Sequence, residues 1–112
     1  MKFASAELNV KGDIVEFENK KHEIIIFRIL QEFLSNTVKY SEAKNISITL
    51  NYKPENLIII ATDDGKGFDI NEIEQGSGLI NMKSRASLIN ASLELNSKPK
   101  EGVELVLDYP LS

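Results

Sequence analysis

The sequence predicts a two-layer α/β sandwich in which a mixed β-sheet is covered on one face by helices. Two stretches, 20–40 and 78–89, carry helical periodicity. Three others, 46–52, 92–97 and 103–109, alternate apolar and polar residues as half-buried strands do. One run, 57–61, is continuously apolar. Helices inserted among strands without a strict βαβα repeat point to a mixed sheet rather than a doubly wound parallel one.

Residues 3–10 read as a weak strand, Lys11-Gly12-Asp13 as a turn, and Ile14-Val15-Glu16-Phe17 as a short strand returning beside the first. Asn19 is placed to cap a helix over 20–40, because its side-chain oxygen can accept an N–H of the first turn. On that helix Ile26, Leu30, Phe33, Leu34 and Thr37 fall on one side, and Arg28, Glu32, Ser35, Asn36 and Lys39 on the other. The next strand turns back at Lys53-Pro54-Glu55-Asn56 into Leu57-Ile58-Ile59-Ile60-Ala61, which reads as a central strand covered on both faces. Residues 63–77 form a loop rich in glycine and acid, and 78–89 a second helix through Leu79, Met82, Ala86 and Ile89. Two closing strands form a hairpin around Lys98-Pro99-Lys100-Glu101-Gly102.

At 112 residues with 42 % hydrophobic and 27 % charged, residues 1–112 are expected to form one domain. A net charge of −4 argues against non-specific nucleic-acid binding, which needs a basic surface. No run of about eighteen apolar residues could span a membrane. The first five residues lack the apolar segment of a secretory signal, and the chain has no cysteine. A cytoplasmic location is therefore expected, compatible with a membrane-anchored parent.

Three segments carry chemistry. Glu32, Asn36 and Lys39 stand at i, i+4 and i+7, so they project from one helix face within two turns. An amide oxygen can ligate a hard cation, an ammonium can neutralise phosphate oxygens, and a carboxylate can orient or deprotonate a nucleophile. Such a triplet alone is more often a solvated helix face. Asp63-Asp64-Gly65-Lys66-Gly67-Phe68 sets a carboxylate at a strand end, followed by glycines that let the backbone pass close to a flat ligand. The acid can accept a hydrogen bond from an exocyclic amine, although the same string also makes a good loop. Gly76-Ser77-Gly78-Leu79 leads a loop into a helix, where backbone N–H groups can face phosphate. The GxxxxGK[ST] loop, the protein-kinase HRD and DFG signatures and a strand-borne GxGxxG are all absent.

In this order and spacing the three segments resemble the N, G1 and G2 boxes of the Bergerat-fold ATPases and kinases. The N box is Phe27-Arg28-Ile29-Leu30-Gln31-Glu32 through Asn36-Thr37-Val38-Lys39-Tyr40. The string Gly78-Leu79-Ile80-Asn81-Met82-Lys83-Ser84-Arg85-Ala86 is similar to sensor histidine kinases that signal to helix-turn-helix response regulators. The ending Gly102-Val103-Glu104 to Tyr109-Pro110-Leu111 resembles that family's last strand, so the likeness covers essentially the whole chain.

The resemblance implies ATP and Mg2+ as ligands. It assigns magnesium ligation to Asn36 and assistance of phosphoryl transfer to Glu32. Phosphate contact would fall to Lys39, with Tyr40 beside the nucleotide. Asp63 would recognise the adenine amine, while Gly65, Gly67, Gly76 and Gly78, with Leu79 beside them, would close over the ligand. Residues 68–75 would be a short ATP lid. Arg85 could reach phosphate or anchor its helix through a salt bridge, and the anchor is the reading favoured. Three positions depart from the family pattern. Ile89-Asn90 replaces Gly-Gly, although asparagine can adopt the left-handed conformation. Val103 replaces a threonine that often helps bind adenine, and Lys39-Tyr40 replaces Lys-His.

The expected partners are a phosphoacceptor helical domain of the same kinase, lying outside this chain, and a response regulator reached through it. The isolated domain should be a monomer, bind no nucleic acid, and bind nucleotide with little phosphorylation. A serine kinase of the anti-sigma-factor type, a Bergerat ATPase, or a binding module without activity are the alternative readings. The short lid and the Asn-Met helix speak against the first two, and retention of Glu32, Asn36 and Asp63 against the third. His22, the only histidine, precedes Glu23 as a phosphoacceptor often precedes an acid. Its place near the start of the N-box helix instead predicts a surface histidine.

Overall fold

The side-chain oxygen of Asn19 accepts the N–H of Lys21 at 2.9 Å, and its carbonyl accepts that of His22 at 3.0 Å. That cap opens the first helix where the sequence predicted it. The computed structural model describes residues 5–36, 45–65, 77–97 and 102–111. In chain order the elements are β1 (Ser5–Gly12), α1 (Lys20–Asn36), β2 (Asn45–Tyr52), β3 (Asn56–Asp63), α2 (Ser77–Leu88), β4 (Ser92–Ser97) and β5 (Val103–Pro110). The expected extension of the first helix to residue 40 lies outside the described residues.

The strands form one five-stranded sheet in the order β1-β2-β3-β5-β4. β1 runs parallel to β2, and the other three neighbouring pairs are antiparallel. Both helices pack on one face. Ile26, Ile29 and Phe33 of α1 and Met82 and Ala86 of α2 share a buried cluster with Leu57, Ile59 and Ala61 of β3 and Leu105 and Leu107 of β5. The predicted two-layer sandwich is what forms. Ile29, fully buried, belongs to the centre of the α1 stripe and completes it with Ile26 and Phe33.

Two expectations are corrected. Residues 14–17 do not return as a strand beside β1. The partner of β1 is instead β2, reached through α1 in a parallel crossover. Gly12 makes the exit possible. Its φ of +83 is a left-handed value, and a Cβ there would lie 1.9 Å from the Tyr52 carbonyl oxygen. Phe17 then stacks on Tyr109, ring centroids 5.2 Å apart.

The run 57–61 is central in the sheet, but among the described residues it is covered on one face only. Leu57, Ile59, Ala61 and Asp63 are buried beneath the helices, while Ile58, Ile60 and Thr62 are half-buried on the opposite face. The outer residues have lateral neighbours such as Thr49 and Val106, which flank Ile60, and no further layer among the described residues. A continuous apolar string cannot by itself distinguish these two situations.

Asn90 ends α2 as expected, with a φ of 58. The N–H of Ala91 reaches the carbonyl of Ala86 at 2.9 Å, and that of Asn90 reaches Ser87 at 3.2 Å. This is a Schellman cap with asparagine in the position that glycine usually occupies.

Candidate functional site

The direction of each element decides where the candidate segments lie. His22, in the first turn of α1, bonds to Tyr109, which sits opposite Leu57 near the beginning of β3. From His22 to Asn36 the helix advances about 21 Å. From Leu57 to Asp63 strand β3 advances about 20 Å. Because α1 joins the parallel strands β1 and β2, it runs back toward the end of the sheet where β2 begins and Asp63 closes β3, carrying Glu32 and Asn36 in that direction. α2 runs the opposite way. Ile89 and Asn90, just past its last turn, line the same hollow as His22 and Tyr109, so its first turn at Ser77 lies toward the Asp63 end. The described parts of all three boxes thus approach one end of the helical layer.

Asp63 is the buried charged residue of this end, at 8 % exposure. It closes β3 between Ile46 of β2 and Val103 of β5, and the strand alternation turns its side chain toward the helices. Its Oδ1 accepts the backbone N–H of Gly65 at 2.9 Å. That bond closes a tight turn over residues 63–65 and orients the carboxylate. A buried carboxylate held this way can offer an acceptor to a ligand amine in a site of low dielectric.

Gly102 supports the site from behind. Its φ is +80, and a Cβ there would come within 2.3 Å of the Asp63 carbonyl oxygen. Only a residue without a side chain allows the two backbones this close. Val103, buried at 5 %, is the lateral neighbour of Asp63 and stands where the family pattern has threonine.

Of the other candidates, Glu32 is half-buried on α1, Gly65 is buried, and Gly78 and Leu79 stand in the first turn of α2. Lys39, Tyr40, Gly67, Gly76 and the lid 68–75 lie outside the described residues. Arg85 is half-buried and has no ion pair among the described residues, so the expected anchor finds no partner there. His22, read from the sequence as a surface histidine, is held by a neighbour. It is half-buried, its Nδ1 lies 2.7 Å from the Tyr109 hydroxyl, and it meets that ring edge-on. Sequence reasoning also passed over Asn45, whose backbone and side chain both donate to Asp64. No periodic pattern singles out a residue that begins a strand.

Residues 21–112 match the family described as histidine kinase-, DNA gyrase B- and HSP90-like ATPase. The chain is 37 % identical over 107 residues to the sensor protein VraS of Staphylococcus saprophyticus, covering 94 % of this chain and 31 % of that protein. It is 33 % identical over 91 residues to the signal transduction histidine-protein kinase/phosphatase DegS of Brevibacillus brevis, covering 80 % of this chain and 24 % of that one. The chain therefore spans about a quarter to a third of these relatives.

Among solved structures, it matches the histidine kinase domain of the blue-light activated histidine kinase EL346 of Erythrobacter litoralis. The TM-score is 0.73 at 20 % identity, over 95 % of this chain and 55 % of that one. It also matches the Acinetobacter baumannii histidine kinase AdeS, with a TM-score of 0.76 at 15 % identity over 97 % and 55 % of the two chains. The family and the fold expected from the three boxes are both borne out. The chain belongs to the histidine kinase-, DNA gyrase B- and HSP90-like ATPase family, as an ATP-binding domain of the kind found in sensor histidine kinases.

Proposed function

We propose that this domain binds ATP with magnesium and, within a longer kinase, passes the γ-phosphoryl group to a histidine on a helical domain outside these residues. That histidine would in turn hand the phosphoryl group to a response regulator. Asp63 receives the adenine amine, Asn36 ligates magnesium, and Glu32 orients or deprotonates the attacking group. Lys39 neutralises phosphate oxygens, and Tyr40 lies beside the nucleotide. Gly65, Gly67, Gly76 and Gly78, with Leu79, let the backbone close over it. Catalysis is then positioning and charge neutralisation, as phosphoryl transfer requires.

The observation that carries this reading is Asp63, a buried carboxylate oriented by Gly65 at the end of the sheet toward which the N-box helix and the first turn of α2 both run. His22 does not suit the acceptor role. It lies in the first turn of α1, at the other end of that helix, and is engaged by Tyr109.

The test is calorimetric titration with a non-hydrolysable ATP analogue, with and without Mg2+, on the wild type, Asp63→Asn and Asn36→Asp. The wild type should bind in a magnesium-dependent way. Asp63→Asn should lose discrimination between adenine and guanine nucleotides, and Asn36→Asp should chiefly alter the metal dependence. Absence of binding by the wild type would refute the proposal. Unchanged selectivity in Asp63→Asn would refute the adenine assignment alone.

A further inference from the structure

We infer that Asn45 and Asp64 form a positioning pair for nucleotide binding, a clamp that holds the β3 exit so that the Asp63 carboxylate keeps its direction. The inference rests on the reading of Asp63 as the adenine acceptor and adds two residues that act through it.

The clamp begins from a mechanical problem. β3 ends at Asp63, and the chain continues through Asp64 and Gly65 into Lys66-Gly67. Gly65 gives such an exit little stiffness of its own. The direction of the Asp63 carboxylate nevertheless depends on it, because Oδ1 is held by the N–H of Gly65, two residues on. If residue 64 swings, Gly65 moves and the carboxylate loses its guide.

Three bonds oppose that swing. The backbone N–H of Asn45 donates to Asp64 Oδ1 at 2.8 Å. The side-chain amide of Asn45 donates to Asp64 Oδ2 at 2.5 Å. In return, the N–H of Asp64 donates to the Asn45 carbonyl at 3.2 Å. Both carboxylate oxygens of Asp64 are therefore engaged by one residue, the first of β2. The pairing of β2 with β3 ends in register at Ile46 opposite Asp63, and the clamp fastens the chain one residue beyond that point.

Strand alternation separates the roles of the two acids. Asp63 is buried toward the helices, whereas Asp64 is exposed, as is Asn45. Adjacent carboxylates thus serve different ends, the buried one for the ligand and the exposed one for the loop. Exposed bonds at the end of a ladder add little to global stability. A site that must present one carboxylate in one direction is more sensitive, since lost pre-organisation is subtracted directly from binding.

The test compares wild type, Asn45→Ala, Asp64→Ala and the exchange variant Asn45→Asp/Asp64→Asn, in which an amide at 64 can donate back to a carboxylate at 45. Affinity for a non-hydrolysable ATP analogue, preference over the guanine analogue, and the melting temperature without nucleotide are measured for each. Each alanine variant should bind about tenfold more weakly and lose adenine preference while melting within a few degrees of wild type. The exchange variant should recover most of both. Wild-type affinity and selectivity in both alanine variants overturns the inference. So does a loss that merely follows unfolding and is not rescued by the exchange. If the wild type itself fails to bind, the nucleotide reading falls first, which separates the two failures.

Discussion

The hydroxyl of Tyr109 lies 2.7 Å from Nδ1 of His22, joining the first turn of α1 to the last strand across 87 residues of sequence. The tyrosine is itself buried, at 7 % exposure, and stacks on Phe17. This group fastens the helix at the end opposite Asp63.

Tyr109→Phe should therefore cost about 1 kcal/mol of stability by removing one part-buried hydrogen bond. Nucleotide affinity should stay within about twofold, because the bond is remote from Asp63. His22→Ala should likewise leave affinity unchanged. Thermal melting and calorimetric titration on the same samples check both, and a tenfold loss of affinity in either variant would contradict the placement.

Burial raises the Tyr109 hydroxyl above its ordinary pKa of 10.0, with a smaller contribution from the charge of Glu18. Below that value both folded and unfolded chains hold the proton, so this group adds no pH dependence. As pH rises past 10.0 the unfolded chain releases it before the folded one, and stability falls. Urea unfolding followed upward from pH 9 should show that decline, and the part due to Tyr109 should vanish in Tyr109→Phe.

Two phenylalanines of α1 separate burial from composition. Phe33 is 2 % exposed and Phe27 61 %. Phe33→Ala should cost about 3–5 kcal/mol through lost transfer energy and a cavity. Phe27→Ala should cost less than about 1 kcal/mol. Equal shifts in the urea midpoint would mean that the helix presents a different face to the sheet.

At Asn90 the backbone is left-handed, with a φ of 58. Asn90→Gly should be neutral or slightly stabilising, and Asn90→Ala should cost about 1 kcal/mol, because a β-carbon disfavours that conformation. Chemical denaturation resolves the two.

Gly102→Ala tests the support behind Asp63. Its Cβ would enter at 2.3 Å from the Asp63 carbonyl oxygen at a φ of +80, so the backbone must move. ATP-analogue affinity should fall by at least about tenfold, since such a displacement moves the carboxylate out of position. Titration at a temperature where the variant remains folded distinguishes this from simple destabilisation, and wild-type affinity would show that the support is not needed.

What was legible in the residues was local chemistry. The Asn19 cap, the apolar stripe of α1, the alternation of β2 and β5 and the left-handed turn at Asn90 all depend on neighbours a few positions away. Side-chain size, branching and spacing encode them directly. Asp63 could be picked out because a carboxylate before spaced glycines is a local string. The three boxes, taken in order, carried the family.

Pairing at long range was decided by the tertiary structure alone. The weak first strand chose β2 over a hairpin with 14–17, β3 took its cover on one face, and His22 found Tyr109. The support of Asp63 by Gly102, and of its strand exit by Asn45 through Asp64, emerged in the same way. These relationships follow from which surfaces meet once the sheet assembles. No periodicity along the chain contains them, because a contact between distant segments depends on the packing of everything between them.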